Sequence, residues 1–341
     1  MKIIATTTIR HSTIGEQASG HVLEVDWTGQ RIIKRFAVPD PMYPESNTNP
    51  RGGLRGGRGV KVRRGHYFVA NYDTVHVYDS NWRLQDKISH PLATDIHEID
   101  LDASGIWLSC SRYDMALKLD YGGEKLDHWH ISDSPGLMRM IGVRCGLPDL
   151  TKDYRRQMTM GLDHTHLNCV QIGADDSLIV NLGQVKPYRQ WQRIGRRLLP
   201  LPAKHAHRLG PAIRGLYKAL HGSRSFIVKL NRTNSEKTRV LGEYPALRPN
   251  HNGQMLSDET SVLAAEDGGI VIHHIESHQS QLIPIPASWA RGIAKIEEQR
   301  LLVGIQPCAI VEVDLRSCRV TRRFELSDNP DESVHGLALI R

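Results

Sequence analysis

The chain has 341 residues, of which 40% are hydrophobic and 24% charged, a globular composition that excludes a disordered or collagen-like protein. No stretch approaches the ~18 apolar residues of a membrane-spanning helix, and the first residues lack a signal-peptide pattern, so we expect a soluble, cytoplasmic protein. The five cysteines are scattered and never form a Cys-x-x-Cys pair, which argues against a disulfide framework and a thiolate zinc site.

The net charge of +7 has a local origin. Segment 186–222 contains no Asp or Glu and mixes Arg and Lys with Trp, Tyr and Leu, as basic amphipathic segments do. We expect this segment to bind an anionic ligand or to make peripheral contact with an anionic membrane surface. Nucleic acid is not an expected partner, because no recognition motif accompanies the charge.

Taken in chain order, the predicted elements repeat. Six segments each contain an apolar strand, a polar turn and a second strand, and five of them follow another hairpin; the six are 21–38, 74–88, 115–131, 226–241, 269–285 and 309–326. Four strands in each of several repeats are typical of propeller blades. The first unit lacks its innermost strand, and 335–341 is the strand left to supply it.

The sequence therefore predicts an all-β, six-bladed β-propeller closed by the C-terminal strand, with 1–341 as a single domain. Two inserts, 134–162 and 186–222, interrupt the repeat. We expect both to be largely helical and to form a cap over one mouth of the central channel.

Aligning the starts of the six innermost strands places one side chain per blade at the same end of the channel. In chain order these are Arg58, His97, His166, His251, Arg291 and His335.

Three of these histidines, His97, His251 and His335, lie on alternate blades, roughly 120° apart around the ring. Three neutral imidazoles aimed at one axis suit a divalent metal, with zinc as the default and manganese or iron as alternatives. His166 is either a fourth ligand or an acid–base group. A histidine at a strand start can also be a turn residue or an ordinary hydrogen-bonding group, and that alternative stays open for each.

Arg58 and Arg291 would orient an anionic substrate or stabilise an oxyanion, or else pair with a channel carboxylate such as Glu98. Tyr72 and Tyr113 occur in the repeated Tyr-Asp of "ANYD" and "SRYD", at loops expected on the same face. Each is a candidate general acid or base, with packing at the rim as the alternative.

This arrangement resembles the six-bladed NHL-type propellers, and in architecture the zinc-dependent peptidyl-hydroxyglycine lyase domain of peptide amidation. The resemblance covers 1–133, 163–185 and 225–341. It implies that His97, His251 and His335 are zinc ligands and, more weakly, that the arginines and tyrosines above are catalytic. The chain departs from that family in having His166 in the ring and a large basic insert.

Two functional hypotheses follow. The first is a metal-dependent enzyme, a lyase or hydrolase, acting on a small anionic substrate at the channel. The second is a non-catalytic propeller scaffold whose basic cap binds an anionic partner or a membrane surface. The sequence favours the enzyme, since four histidines and two arginines share one structural position.

Overall fold

The computed structural model describes residues 1–12, 18–44, 56–156, 162–175, 177–185, 223–231, 237–246, 248–265, 268–287 and 289–340. These residues form six four-stranded antiparallel sheets, so the predicted all-β, six-bladed propeller is confirmed. The innermost strands of neighbouring blades contact one another around the whole ring.

The strands follow in chain order. Blade 1 contains β1 (Lys2–Ile9), β2 (His21–Asp26) and β3 (Arg31–Ala37); blade 2 contains β4 (Val60–Arg63), β5 (His66–Ala70), β6 (Val75–Tyr78) and β7 (Leu84–Ile88); blade 3 contains β8 (Ile96–Leu101), β9 (Gly105–Cys110), β10 (Met115–Asp120) and β11 (Lys125–His130); blade 4 contains β12 (Leu167–Ile172), β13 (Leu178–Val185), β14 (Arg224–Leu230) and β15 (Arg239–Pro245); blade 5 contains β16 (His251–Ser257), β17 (Thr260–Ala265), β18 (Gly269–His274) and β19 (Gln279–Pro284); blade 6 contains β20 (Trp289–Glu297), β21 (Arg300–Gln306), β22 (Ala309–Asp314) and β23 (Arg319–Glu325). The last strand, β24 (Glu332–Ile340), returns to blade 1 as its innermost strand.

The apolar sequence pattern explains where the core lies. The second and third strands of the blades are mostly apolar and almost wholly buried, as in β9, β10 and β22, because both of their faces are covered by neighbouring blades. The outer strands are largely exposed, and in β23 every second residue is exposed. Within the described residues the buried side chains fall into six clusters, one between each pair of adjacent blades.

Closure of the ring follows the predicted pairing. Strand β24 pairs antiparallel with β1, from Lys2 opposite Ile340 to Ile9 opposite Glu332. All of β1 except Lys2 is buried. The pairing removes two open sheet edges, which would otherwise be sites for aggregation.

A buried carboxylate reinforces this closure. Glu332, 1% exposed, begins β24 and accepts hydrogen bonds from the Thr7 hydroxyl of β1 and from His21 Nδ1 of β2 at 2.8 Å. Arg35 Nη2 of β3 approaches the same carboxylate at 3.3 Å. One side chain thus contacts all three other strands of the closing blade.

The first insert is less helical than the sequence suggested. Among its described residues, 134–156 and 162, the α-helix α1 is confined to Pro135–Ile141 and ends where Gly142 adopts a left-handed φ of 76°. Leu137 and Ile141 pack into the cluster between blades 3 and 4. The segment then crosses to blade 2, where the backbone amide of Tyr154 donates to the Pro91 carbonyl at 2.8 Å.

The second insert, 186–222, lies outside the described residues, and the expected cap over the channel mouth stays a prediction. No helix among the described residues is both long enough and apolar enough to cross a membrane.

Glu332 should make stability fall in acid. Burial alone would raise its pKa, but hydrogen bonds from His21, Thr7 and Ser327 outweigh burial and lower the pKa from 4.5 to about 2. Its contribution, about 3 kcal/mol, is complete above pH 4.5 and disappears as the pH falls through 2. We expect Glu332→Gln to lose about 2 kcal/mol of unfolding free energy at pH 7. In urea titrations at several pH values, the variant should also show a smaller fall in this free energy between pH 4.5 and 2. Glu325→Gln, on the exposed β23, is the control and should leave both unchanged.

Candidate functional site at the channel mouth

The innermost strands of the described blades are irregular at the same place, near their starts. The register between the first and second strands shifts beside His97, His166, His251, Arg291 and His335. In blade 2, Ala70 bonds to the backbone of both Arg58 and Gly59, which is a similar two-against-one arrangement. A bulge turns the side chains beside it away from the regular alternation of a strand. The repeated bulge therefore presents one polar residue per blade at the channel mouth.

Close packing of the strands at the bulges demands a glycine in blade 6. Gly292 has a φ of 48°, and a Cβ there would lie 2.8 Å from the carbonyl oxygen of His335. A larger residue would push blades 6 and 1 apart at the point where the ring closes.

Three histidines from consecutive blades meet at the mouth. The ligand nitrogens of His97, His166 and His251 all lie within 4.8 Å of one another. Their ring centroids are 5.0 Å apart for His97 and His166, 5.6 Å for His166 and His251, and 5.7 Å for His97 and His251. The sequence-based ligand set was His97, His251 and His335; in this group His166 stands in the place of His335.

Hydrogen bonds set the tautomer of two members of the group. The Nδ1 atom of His97 lies 3.0 Å from the backbone carbonyl oxygen of Asp95. The Nδ1 atom of His166 lies 2.9 Å from Oδ2 of Asp163. Carbonyl and carboxylate oxygens only accept, so each Nδ1 carries the hydrogen and each Nε2 keeps its lone pair. The same partners orient histidine ligands in metal sites.

His335 has the opposite arrangement. Its Nδ1 lies 3.4 Å from Nη1 of Arg291, and a guanidinium only donates. A neutral His335 that accepts at Nδ1 carries its hydrogen on Nε2, which then has no lone pair for a metal. The structure thus groups His335 with an arginine instead of with the other three histidines.

Burial keeps these imidazoles neutral. It is the main cause that lowers the pKa of His97, His251 and His335 well below 6.5, and nearby arginines lower it further: Arg58 for His97, and Arg291 for the other two. These three rings are therefore uncharged at neutral pH. Neutral imidazole is the form that binds metals.

Arg58 lies deep in the mouth, with 4% of its surface exposed. Its Nη2 is 4.0 Å from Oδ1 of Asp95, and among the described residues neither Arg58 Nε nor Asp95 Oδ1 has a hydrogen-bond partner. Burial lowers the pKa of Arg58. The alternative partner named from the sequence, Glu98, instead accepts from Asn252 Nδ2 at 2.7 Å.

The two tyrosines occupy different environments. Tyr72 is buried, and its hydroxyl lies 3.1 Å from Nη2 of Arg112. Burial and the charge of Asp95 raise its pKa, so Tyr72 keeps its proton at neutral pH. Tyr113 is fully buried in the cluster between blades 2 and 3, where it stacks on Tyr154 at 4.8 Å. Its surroundings are those of a packing residue.

The aspartates of the repeated Tyr-Asp anchor loops. Asp114 Oδ2 accepts from the backbone amides of His164 at 2.6 Å and Thr165 at 2.9 Å, and its Oδ1 accepts from Leu167 at 3.2 Å. Asp73 likewise accepts from the amides of residues 42 and 43. Asp114 therefore fixes the segment that carries His166.

Below the mouth the channel contains a polar cavity. Its lining includes Lys61, Glu98, Gln171, Asn252 and Gln254. Lys61 pairs with Asp100 at 3.4 Å, and burial raises the pKa of Glu98 to about 7. Two lining residues are sequence neighbours of the mouth histidines: Glu98 follows His97, and Asn252 follows His251.

Sequence reasoning assigned no role to three residues that shape the mouth: Asp95, Asp163 and Arg112. A signal for the first two was present, because an aspartate precedes His97 by two residues and His166 by three. Short spacings of this kind allow a carboxylate or its backbone to reach Nδ1. Arg112 had no such signal, since its role depends on the distant Tyr72.

The chain was also compared with known proteins. No protein-family profile and no curated protein sequence matches it. Solved structures do match: a Bacteroides caccae protein of unknown function has a TM-score of 0.56 and 7% identity over 100% of this chain and 98% of that chain. A chain of a nidogen–laminin complex has a TM-score of 0.56 and 8% identity, covering 98% and 97%. Streptogramin B lyase has a TM-score of 0.50 and 13% identity, covering 98% and 87%.

These likenesses establish the fold. The chain is a six-bladed β-propeller, consistent with the resemblance to NHL-type propellers. At these identities the similar structures do not assign an activity.

Asp114→Asn should loosen the segment that carries His166. The amide has one acceptor oxygen in place of two, so at least one of three backbone N–H groups loses its partner, at a cost on the order of 1–3 kcal/mol. Urea unfolding should show this loss, and two-dimensional NMR should show a changed His166 ring environment. Asp73→Asn should cost similar stability yet leave the His166 signals in place; equal changes in both variants would contradict a local role for Asp114.

Proposed function

We propose that the protein is a metal-dependent enzyme, a lyase or hydrolase, that acts on a small anionic molecule at the channel mouth. His97, His166 and His251 would hold the metal. The observation that carries the proposal is the hydrogen bonding at Nδ1 of His97 and His166, which leaves two Nε2 lone pairs on adjacent blades beside the His251 ring.

The residues fit a divalent metal. Two nitrogens bound to the same tetrahedral zinc lie about 3.4 Å apart, so nitrogens within 4.8 Å of one another need inward shifts of roughly an ångström. Burial makes two of the three rings neutral donors, and Asp163 supplies the carboxylate that commonly supports a histidine ligand. Zinc is the default for three nitrogen ligands, with manganese or iron as alternatives.

A bound metal would supply Lewis acidity to an oxygen of the substrate. The chain's own residues would do the rest. Asp95 and Asp163 hold the tautomers of His97 and His166, and the mouth arginines attract the anion. Tyr72, protonated and hydrogen-bonded to Arg112, would act as the proton donor.

A lyase is compatible with this scaffold, since streptogramin B lyase shares the fold. The alternative function, a scaffold whose basic segment 186–222 binds an anionic partner or membrane, rests on residues that the structure does not describe. It stays a sequence-based prediction.

Elemental analysis of the purified chain should find close to one equivalent of a divalent metal. Alanine replacement of His97, His166 or His251 should each remove most of it, because two imidazoles bind far more weakly than three. The two ligand sets differ at one residue: His335→Ala should keep the metal if His166 is the ligand, and lose it if the sequence-based set is correct. His273→Ala, a buried histidine of blade 5 bonded to Ser280, controls for general destabilisation. A wild-type chain without metal after reconstitution would refute the proposal.

Asp163→Asn should lower metal affinity by roughly 10–100-fold while the fold persists, because the residue is exposed and acts through the orientation of His166. Titration against a competing chelator measures the affinity. Asp149→Asn, an exposed aspartate of the same connection, is the matched control. An unchanged affinity for Asp163→Asn would separate His166 from the metal.

A further inference from the structure

The residues of the mouth are divided between two halves. Blades 3, 4 and 5 contribute the histidine group. The opposite blades 6, 1 and 2 contribute Arg291, His335 and Arg58 at the same bulged position. The histidine group therefore faces a cationic half of the mouth.

The cationic half is built to hold its arginines in place. The Arg291 guanidinium carbon lies 5.0 Å from the Trp289 ring centre, and its Nη1 lies 3.4 Å from His335. A second guanidinium, that of Arg10, lies 3.1 Å from the same ring. Two cations against one indole concentrate positive charge at this side of the mouth.

His335 adds a donor to this charge. Because its Nδ1 accepts from Arg291, its Nε2 carries a hydrogen. Burial and the charges of Arg291, Arg58 and Arg10 all disfavour protonation of His335. His335 therefore stays a neutral N–H donor amid cations.

Arg58 has donor capacity to spare. Its side chain is 5% exposed and its Nε has no hydrogen-bond partner among the described residues. The facing carboxylate, Asp95, lies 4.0 Å away, beyond hydrogen-bond distance, and it also interacts with His97 and Arg112. A buried guanidinium without a close anion is costly unless an anion completes it.

We propose that Arg58, Arg291 and His335 form an oxyanion-binding subsite for the carboxylate or phosphate of the substrate, whose remaining atoms extend across the mouth to the histidine group. A guanidinium pair and a neutral N–H suit the planar oxygens of a carboxylate and the three oxygens of a phosphate. The oxyanion subsite stands on its own residues; its assignment to the substrate rests on the proposed function.

Isothermal titration of the full chain at low salt, with inorganic phosphate in one arm and acetate in the other, tests the subsite. We expect one saturable site for at least one anion, and the preferred anion identifies the class of substrate. Arg291→Gln and Arg58→Gln should each weaken binding at least tenfold, and His335→Ala several-fold. Arg322 is on β23, the outer strand of blade 6, and its guanidinium lies over the Trp27 ring. Arg322→Gln should leave the anion affinity unchanged.

Because Arg58 is buried, binding by its variant is interpreted only if circular dichroism shows a native fold. The partly buried Arg291 provides an independent test. The titrations are repeated with His166→Ala, which separates the two proposals. Anion binding that survives in His166→Ala shows that the subsite does not depend on a bound metal. Anion binding by a wild-type chain that takes up no metal supports the subsite and removes the enzyme proposal. Absence of saturable binding for both anions, or equal weakening by Arg322→Gln, overturns the subsite.

Discussion

The arrangement depends above all on the pairing of β24 with β1. Each blade presents one polar residue to the mouth, and the positions of these residues relative to one another are fixed only when the ring is closed. The pairing closes the ring through eight residues of β1 and through the Glu332 carboxylate, which binds side chains of all three other strands in its blade. Without that constraint the inner strands of blades 6 and 2 would have no common neighbour.

Once the ring is closed, the bulges near the starts of the innermost strands determine which side chains face the channel mouth. A regular strand start would alternate its side chains between the two faces of the blade. The irregular register beside His97, His251 and Arg291 instead presents them at the channel mouth. Small differences in local bonding then divide the ring: histidines whose Nδ1 donates can bind a metal, whereas His335, which accepts from Arg291, cannot do so in the same tautomer.

Much of the fold could be predicted from the sequence. Repeated hairpins indicated six blades, a missing first strand indicated closure, and alignment of strand starts brought His97, His166 and His251 to one place. The partners of Nδ1 could not be predicted, because they depend on backbone geometry at Asp95 and on the path that Asp114 imposes on the His166 segment. Tyr113 shows the same limit: its motif matches that of Tyr72, but only the surrounding blades determine which ring is buried in the core.

The buried position of β1 also affects the order of folding. Thr7 and Glu332 bond across 325 residues of sequence, and both flanks of β1 are occupied in the finished blade. Contacts so distant in sequence form late, since loop-closure entropy must be overcome first. During synthesis β1 therefore has only β2 beside it, and its other edge stays open until nearly every other blade has been made. During that interval the open edge of β1 can pair with other chains, and a chaperone would act on this protein by preventing such pairing.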